Sequence, residues 1–381
     1  MASNFLSAWF WDIGTGLVPI IGFYAILFAI MTIIFGWASR MPRTLPSTSL
    51  MAIGIILNAI FLGSLLVLQA AARHYYVALA VLDGISAGFY WLALFVLASS
   101  WVRAEQARWY NSWTGTLEAF LELVAPPLSG WIIASMTGLQ GYRVVFAIAF
   151  VSLLGAFILI LGAAKSGSIA AKLPAAPKEL PKPVPIGWRA LLWSFWALGM
   201  RDGIYFFLPN LLLFIISHSA IWLGIFVAAE ASLEGALFWA LGRWPGLNRN
   251  ARSLWIATSI SLMALALIGL PLTTTTLFLL GMLVSIAYPP FKISLESSAL
   301  IAIRDSSRDE TAMVQRTGQK EMWINSGRVL SLLVALGMVL VLPHFHIRDF
   351  RWLLGAWGFI PIVIIVAYQR VPADAEQTDQ A

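Results

Sequence analysis

The chain has 381 residues, of which 60% are hydrophobic and only 11% are charged. Soluble domains carry about 25% charged residues, so this chain has too few charges to cover a water-facing surface. Its mean hydropathy is +0.83, and apolar runs recur throughout, so most of its surface must face lipid. Composition therefore excludes a soluble enzyme or binding domain and predicts a membrane protein with several spans.

Residue counts also argue against metal and nucleic-acid sites. The sequence has no cysteine, and its four histidines are too scattered for a zinc site. We therefore expect neither a metal nor a cofactor. The net charge of +6 does not indicate nucleic acid, because the basic residues lie in short loops between apolar runs.

About eleven segments are long and apolar enough to be transmembrane helices, which need about 20 residues each. Their continuous hydrophobicity favours helices over a lipid-facing barrel, whose strands alternate in polarity. The predicted fold class is an all-α integral membrane protein. The predicted spans are 13–37, 49–70, 75–99, 113–136, 142–164, 189–216, 220–241, 253–271, 274–300, 317–342 and 352–369.

The basic residues of the loops are unevenly distributed. Of the 24 Lys and Arg residues, sixteen lie in loops on one predicted side, four in loops on the other, and four inside or at the ends of spans. Cytoplasmic loops are the richer in Lys and Arg, so the C-terminus is predicted to be cytoplasmic. An odd number of spans then places the N-terminus outside. The expected location is the cytoplasmic membrane of a bacterium or archaeon.

A Pro- and Lys-rich segment divides the chain. Its prolines favour extended conformations and its lysines stay hydrated, as is typical of a linker. About five spans precede it and six follow it. The predicted organisation is an N-terminal helical bundle (1–164), a cytoplasmic linker (165–188), a C-terminal helical bundle (189–370) and a disordered tail (371–381).

The two bundles are similar to each other at an offset of roughly 200 residues. Residues 114–118 (TGTLE) correspond to residues 317–321 (TGQKE) at an offset of 203, and each segment opens an outward-running span. At this offset the first span matches the second span of the C-terminal bundle. The helix predicted at 189–216 has no N-terminal counterpart, so one helix is predicted to be missing.

Two parallel helical bundles joined by a long basic linker resemble the major facilitator superfamily of secondary transporters. The loop GWASRMPR (36–43) lies where that family carries Gly-x-x-x-Asp-Arg-x-Gly-Arg, with Arg40 in place of the Asp. Residues 124–130 (VAPPLSG) resemble the Gly- and Pro-rich stretch of the family's fifth span, and residues 321–328 (EMWINSGR) resemble a pattern in the eleventh span of some bacterial permeases. The resemblance implies alternating access between two bundles, with the first family helix absent here.

Polar side chains inside predicted spans are the candidates for function. A charge at mid-bilayer costs at least about 2.5–3.5 kcal/mol, so such residues face the bundle interior. Several of them recur at a spacing of four residues, which places them on one helix face. The candidate substrate or coupling-ion residues are Glu118, Glu122, Arg201, Asp202, Glu230, Glu234, Lys292, Glu296, Glu321, Asn325 and Arg328.

Glu118 and Glu122 are interpreted as a proton or cation site, because close carboxylates raise each other's affinity for a proton. The alternative is pairing with Arg103 and Arg108 near the cytoplasmic surface.

Residues 201–203 (RDG) lie in the middle of a span that also contains Pro209, which indicates a broken helix. Arg201 could bind a substrate carboxylate or phosphate, or it could pair with Glu230 or Glu234 on the next span.

Lys292 and Glu296 are one turn apart and are expected to form a structural ion pair. Arg328 must meet a carboxylate such as Asp202 or Glu230, a water-filled cavity or an anionic ligand, and a role in lining a cavity is favoured. Lys320 is expected to extend to the cytoplasmic surface.

The sequence therefore predicts a secondary transporter that moves a small solute across the bilayer, coupled to protons through Glu118 or Glu122 and Glu321. Arg201 and Arg328 would contact the substrate or reset the carboxylates. No nucleotide-binding loop is present, and no catalytic constellation indicates an enzyme. The alternative is a membrane scaffold or receptor of the same fold that transports nothing.

Overall fold

The computed structural model describes residues 2–40, 46–165, 187–243, 250–266, 269–307, 310–342 and 345–371. Regular structure in these ranges is helical throughout, which confirms the all-α fold class. Most of the predicted linker and the predicted tail lie outside the described residues. The α-helices are α1 (Ala2–Asp12), α2 (Leu17–Ala38), α3 (Ser47–Leu68), α4 (Tyr76–Trp101), α5 (Ala107–Ser135), α6 (Gln140–Lys165), α7 (Trp188–Tyr205), α8 (Leu208–Ser217), α9 (Ala220–Arg243), α10 (Asn250–Ala266), α11 (Thr274–Ser306), α12 (Glu310–Val341), α13 (Phe350–Ala356) and α14 (Ile360–Tyr368).

Ten segments of the described chain are long and apolar enough to cross a membrane, and they coincide with ten of the predicted spans. Helices α7 and α8 together form one of them, Trp188–Ser217, and the last, Ile347–Tyr368, contains α13 and α14. The remaining prediction, 253–271, coincides with α10, which has 17 residues. Such a helix is about 25 Å long, slightly less than the hydrocarbon core of a bilayer.

Helix α1 is not among the predicted elements; its 11 residues make a helix only about 16 Å long. It packs against α2, α6 and α8, and Phe5, Ala8 and Phe10 are fully buried. No N-terminal counterpart as long as 189–216 is found among the described residues. The place beside α2 and α6 nevertheless holds this short helix.

The helix between residues 188 and 217 is broken, as predicted. Helix α7 ends at Tyr205, and Phe207 leaves the helical conformation with φ −134° before α8 begins. Pro209 lies in the first turn of α8, where its missing N–H has no helical acceptor to lose. The ring of Phe207 stacks on Tyr24 of α2 at a centroid distance of 4.4 Å, so the break contacts the N-terminal helices.

Two long helix pairs join the N-terminal and C-terminal helices: α5 packs along α9, and α2 packs along α12. Within the C-terminal helices, α7 crosses α12 closely enough for backbone contact. Gly199 faces the carbonyl group of Ile324, and Gly327 faces that of Trp196. Any side chain at either glycine would clash with backbone, so this crossing depends on them. It brings residues 201–202 beside Arg328.

Candidate functional site

The polar residues predicted from the sequence lie on α5, α7, α9, α11 and α12, and the structure sorts them into three groups. We name each after its central cation. The Lys292 group contains Glu118, Glu122, Glu230, Glu234 and Lys292; the Arg201 group contains Arg201, Asp202, Asn325 and Arg328; the Lys320 group contains Glu296, Lys320 and Glu321.

In the Lys292 group, an ion pair connects the N-terminal and C-terminal helices. Lys292 Nζ of α11 lies 2.7 Å from Glu118 Oε2 of α5. The two side chains are 25% and 53% exposed, so this pair is not enclosed by the helices. The predicted pairing of Lys292 with Glu296 is wrong, because the lysine side chain extends across to α5 and Glu296 pairs with another lysine.

The other three carboxylates of the Lys292 group gather around the α9–α11 contact. Glu230 Oε1 lies so close to Gly281 of α11 that a Cβ there would come within 2.5 Å of it. Glu234 hydrogen-bonds with Ser285, and Glu122 of α5 is near enough to both glutamates to interact electrostatically. No salt bridge between described residues reaches these three carboxylates. The group therefore has more carboxylates than cations.

The Arg201 group is more closely paired. Arg201 Nη1 lies 3.1 Å from Asp202 Oδ1, and Nη2 donates to the carbonyl oxygen of Val284 at 3.2 Å. The alternative that pairs Arg201 with Glu230 or Glu234 is wrong, because Asp202 on the same helix takes its charge.

Arg328 approaches the same carboxylate from α12. Its Nη2 lies 3.9 Å from Asp202 Oδ2, and its Nη1 donates to Asn325 Oδ1 at 3.1 Å. Of the three alternatives given for Arg328, the structure shows the approach to a carboxylate, Asp202. Its guanidinium also lies over the ring of Phe28 of α2, 5.1 Å from the centroid, and its Nε is buried with no hydrogen-bond partner among the described residues.

Lys320 does not extend to the cytoplasmic surface, so that prediction is wrong. Its side chain is only 2% exposed, and its Nζ lies 2.7 Å from Glu296 and 2.8 Å from Glu321. The ammonium also lies 4.4 Å from the ring centroid of Phe95 and 5.0 Å from that of Phe195. Two carboxylates and two aromatic rings replace the water that would otherwise solvate the ammonium group.

Sequence reasoning missed Lys320 and the aromatic residues around both lysines. Lys320 carried a signal, because it lies inside the repeated TGQKE segment (317–321). It also missed a polar pair inside the N-terminal helices, where Asn58 of α3 donates to Asp83 of α4 at 3.2 Å. Among the described residues, no three His, Cys, Asp or Glu side chains are grouped so that they could hold a metal ion.

Further contacts join α4 and α5 to α11 near the end where α4 finishes and α5 begins. Asn111 Nδ2 donates to Ser297 Oγ at 3.0 Å in a buried position, and Arg304 donates to the carbonyl oxygen of Val102. Val102, Ala107 and Leu300 form a small apolar cluster beside them. These contacts close this end of the interface between the N-terminal and C-terminal helices.

This arrangement of two groups of helices around a polar interior is the fold of major facilitator superfamily transporters, which confirms the resemblance at the level of the fold. The chain is similar to a bacterial homologue of the iron transporter ferroportin in its outward-facing state, with 14% identity, a TM-score of 0.66, and coverage of 97% of this chain and 96% of that chain. It is similar to the human organic anion transporter MFSD10 (TETRAN), with 14% identity, a TM-score of 0.63, and coverage of 96% and 88%.

Two relatives were found by comparing sequences, and both are uncharacterized proteins. No protein-family model matches the chain. The chain is 22% identical to the uncharacterized protein YqgE of Bacillus subtilis (strain 168) over 344 residues, 90% of this chain and 80% of that protein. It is 30% identical over 109 residues to an uncharacterized protein in the sodM 3' region of Geobacillus stearothermophilus, 29% of this chain and about half (51%) of that protein.

Proposed function

We propose that this integral membrane protein is a secondary active transporter that moves a small solute by alternating access and couples it to protons. One observation carries the proposal: the ionisable side chains of five helices meet between the N-terminal and C-terminal helices, and Glu118 bridges the two through Lys292. Charges are retained inside a membrane protein at a free-energy cost, and they mark pathways for ions and substrates. The fold supports the proposal, since its structural neighbours are transporters.

Glu118, Glu122 and Glu321 are the proposed coupling carboxylates. Glu118 and Glu321 each face a lysine, at 2.7 Å and 2.8 Å respectively. Protonation of Glu118 would release Lys292, and protonation of Glu321 would leave Lys320 paired with Glu296 alone, so either event changes the contacts of a lysine inside the bundle. Arg201 and Arg328 are proposed to contact a substrate or to reset the carboxylates.

The fold alone leaves the substrate open. The neighbours named above are described as a homologue of an iron transporter and as an organic anion transporter, so one fold serves cargoes of opposite charge. The contacts between α11 and the α4–α5 region favour a state that is closed to the cytoplasm, given the predicted topology.

The proposal is tested in proteoliposomes that contain a trapped pH-sensitive dye. Cationic, anionic, zwitterionic and neutral solutes are added outside in turn, and the internal pH is followed. We expect one class to drive proton movement that protein-free liposomes lack. Glu118→Gln and Glu321→Gln should abolish this proton movement and uphill accumulation but keep solute exchange, because an amide preserves the shape of the side chain and cannot release a proton.

Glu105→Gln is the matched control, because Glu105 lies in an exposed turn outside the spans. It should behave like the unmodified protein. Solute uptake without proton movement would refute the coupling. The scaffold or receptor alternative would be favoured if no solute class moved.

A further inference from the structure

We propose that the Lys292 group contains a binding site for the ammonium group of an organic cation, and that Lys292 itself occupies this site when no substrate is bound. The inference rests on the proposed transport function and names its substrate class. We call Glu118, Phe238, Tyr288 and the bound Lys292 ammonium the Lys292 cage.

The cage surrounds an ammonium group with one carboxylate and two aromatic rings. Lys292 Nζ lies 2.7 Å from Glu118 Oε2, 5.6 Å from the ring centroid of Phe238 and 5.7 Å from that of Tyr288. Tyr90 and Tyr110 are near enough to Glu118 to interact with it electrostatically. Three elements, α5, α9 and α11, thus supply the parts of a site for a positive nitrogen.

Rings favour a weakly hydrated cation. An aromatic face attracts a cation within about 6 Å of its centroid, and quaternary ammonium ligands are recognised in this way. A small inorganic cation would have to give up its water for ring carbons, whereas an alkylammonium group has little water to lose. The cage therefore fits an organic ammonium better than Na⁺.

A comparison with Lys320 shows why a substrate ammonium is expected to displace Lys292 and not Lys320. Both ammonium groups have carboxylate and ring partners, but Lys320 and Glu321 are 2% and 6% exposed at their side chains, whereas Lys292 and Glu118 are 25% and 53% exposed. The Lys292 pair is therefore the more accessible of the two. The ammonium of Lys320 is buried between Glu296 and Glu321 and serves as a structural counterpart.

The additional carboxylates of the Lys292 group allow the substrate ammonium to displace Lys292 without leaving the lysine unpaired. Glu122 and Glu234 already interact electrostatically with Lys292, and no described salt bridge occupies them. Lysine carries its charge on a flexible four-carbon stem. The ammonium of Lys292 can therefore move to Glu122 or Glu234 while the substrate ammonium takes Glu118 and the rings, so the net charge of the pairings stays balanced.

The experiment is a binding titration of the purified full-length protein in detergent, followed by isothermal calorimetry. Choline chloride is the probe. NaCl at equal ionic strength controls for salt, and 3,3-dimethyl-1-butanol is the uncharged analogue of the same shape. We expect weak choline binding to the unmodified protein and binding at least about tenfold tighter to Lys292→Met, because the tethered competitor is gone.

Lys292→Arg is the matched variant, since it keeps a cation in the cage and should leave choline binding weak. Arg348→Gln, which removes an exposed loop cation elsewhere, should also have no effect. If Lys292→Met fails to fold, Glu118→Gln and Tyr288→Leu keep the inference testable, because each should weaken choline binding to a chain that retains Lys292 by about five- to tenfold.

Equal choline binding by Lys292→Met and Lys292→Arg would overturn the inference, as would tighter binding of the uncharged analogue. These outcomes are independent of the transport assay. A protein that moves a different solute class with protons but never binds choline would refute this inference alone and leave the proposed function in place.

Discussion

The two lysines inside the bundle differ in how far the helices enclose them. Lys320 is 2% exposed and holds two carboxylates, whereas Lys292 is 25% exposed and holds one. Removing one partner of a buried ion pair leaves an uncompensated charge in a medium that solvates it poorly. The same substitution at a partly hydrated position leaves a charge that water can still reach.

Lys320→Met should therefore destabilise the protein by about 3–5 kcal/mol, because Glu296 and Glu321 lose their shared cation. Lys292→Met should cost about 1 kcal/mol or less. Thermal denaturation of both purified variants in detergent checks this, with the difference between them as the decisive quantity. Equal losses would contradict the structural role that we assign to Lys320.

The charged residues inside the spans could be identified from the sequence, but the partners of the two lysines could not. Charged residues inside apolar runs are visible in the sequence, and spacing along one helix suggests partners only on that helix. Lys292 and Glu296 have ideal spacing for a pair, yet each pairs with a different helix. The reach of a lysine across a helix interface depends on the approach of α5, α11 and α12, which one-dimensional periodicity does not contain.

At the scale of elements, α1 is held by contacts at its C-terminal end. The hydroxyl group of Tyr142, which is 1% exposed, donates to Asp12 Oδ2 at 2.8 Å. Tyr142→Phe should lower stability by about 1 kcal/mol, since Asp12 would lose this donor. Differential scanning fluorimetry measures the change, and Tyr75→Phe, at an exposed ring, is the control. An unchanged melting temperature in Tyr142→Phe would show that α1 is held by its apolar face alone.

Asp12 also predicts a pH dependence. Partial burial raises the pKa of Asp12 above its ordinary value of 3.8, and the hydrogen bond from Tyr142 and the charge of His218 oppose this effect. Because the folded pKa is the higher one, the stabilisation by protonated Asp12 is complete below 3.8 and is lost as the pH rises through the folded pKa. Asp12→Asn should flatten the melting temperature between pH 4 and pH 7. Parallel profiles for both proteins would contradict the raised pKa.

The sequence predicted the helices whose length is determined by the thickness of the bilayer. It did not predict the helix that depends on tertiary packing. The requirement of about 20 apolar residues located ten spans, and the Gly and Pro residues near residues 201–209 located the break between α7 and α8. Helix α1 was not predicted because it is shorter than the length required to span a bilayer. Its evidence is tertiary: Phe5, Ala8 and Phe10 are buried against helices that are distant in sequence.

For the whole molecule, the distribution of basic residues predicts a cytoplasmic linker and C-terminus. The chain has no cysteine, so Ser168→Cys and Ala381→Cys each introduce a single thiol. Both should be labelled by an impermeant maleimide only after the cells are permeabilised, because the richer Lys and Arg loops face the cytoplasm. Ser219→Cys, between α8 and α9 at the opposite end, is the positive control for intact cells. Labelling of Ser168→Cys in intact cells would contradict the predicted topology and place the linker outside.

Alternating access requires that the contacts between α5 and α11 break in each cycle, and this can be tested directly. Asn111 and Ser297 meet at 3.0 Å across the interface, next to the Arg304 contact with Val102. In the double variant Asn111→Cys, Ser297→Cys, a short cleavable bis-thiosulfonate should join the two helices. We expect this crosslink to stop the proton and solute movements in proteoliposomes, because the two groups of helices could no longer separate at this end. Reduction should restore them, and each single-cysteine variant should stay active after the same treatment. Full transport by the crosslinked protein would show that this interface does not open during transport. The hypothesis that the two bundles rock against each other would then be wrong.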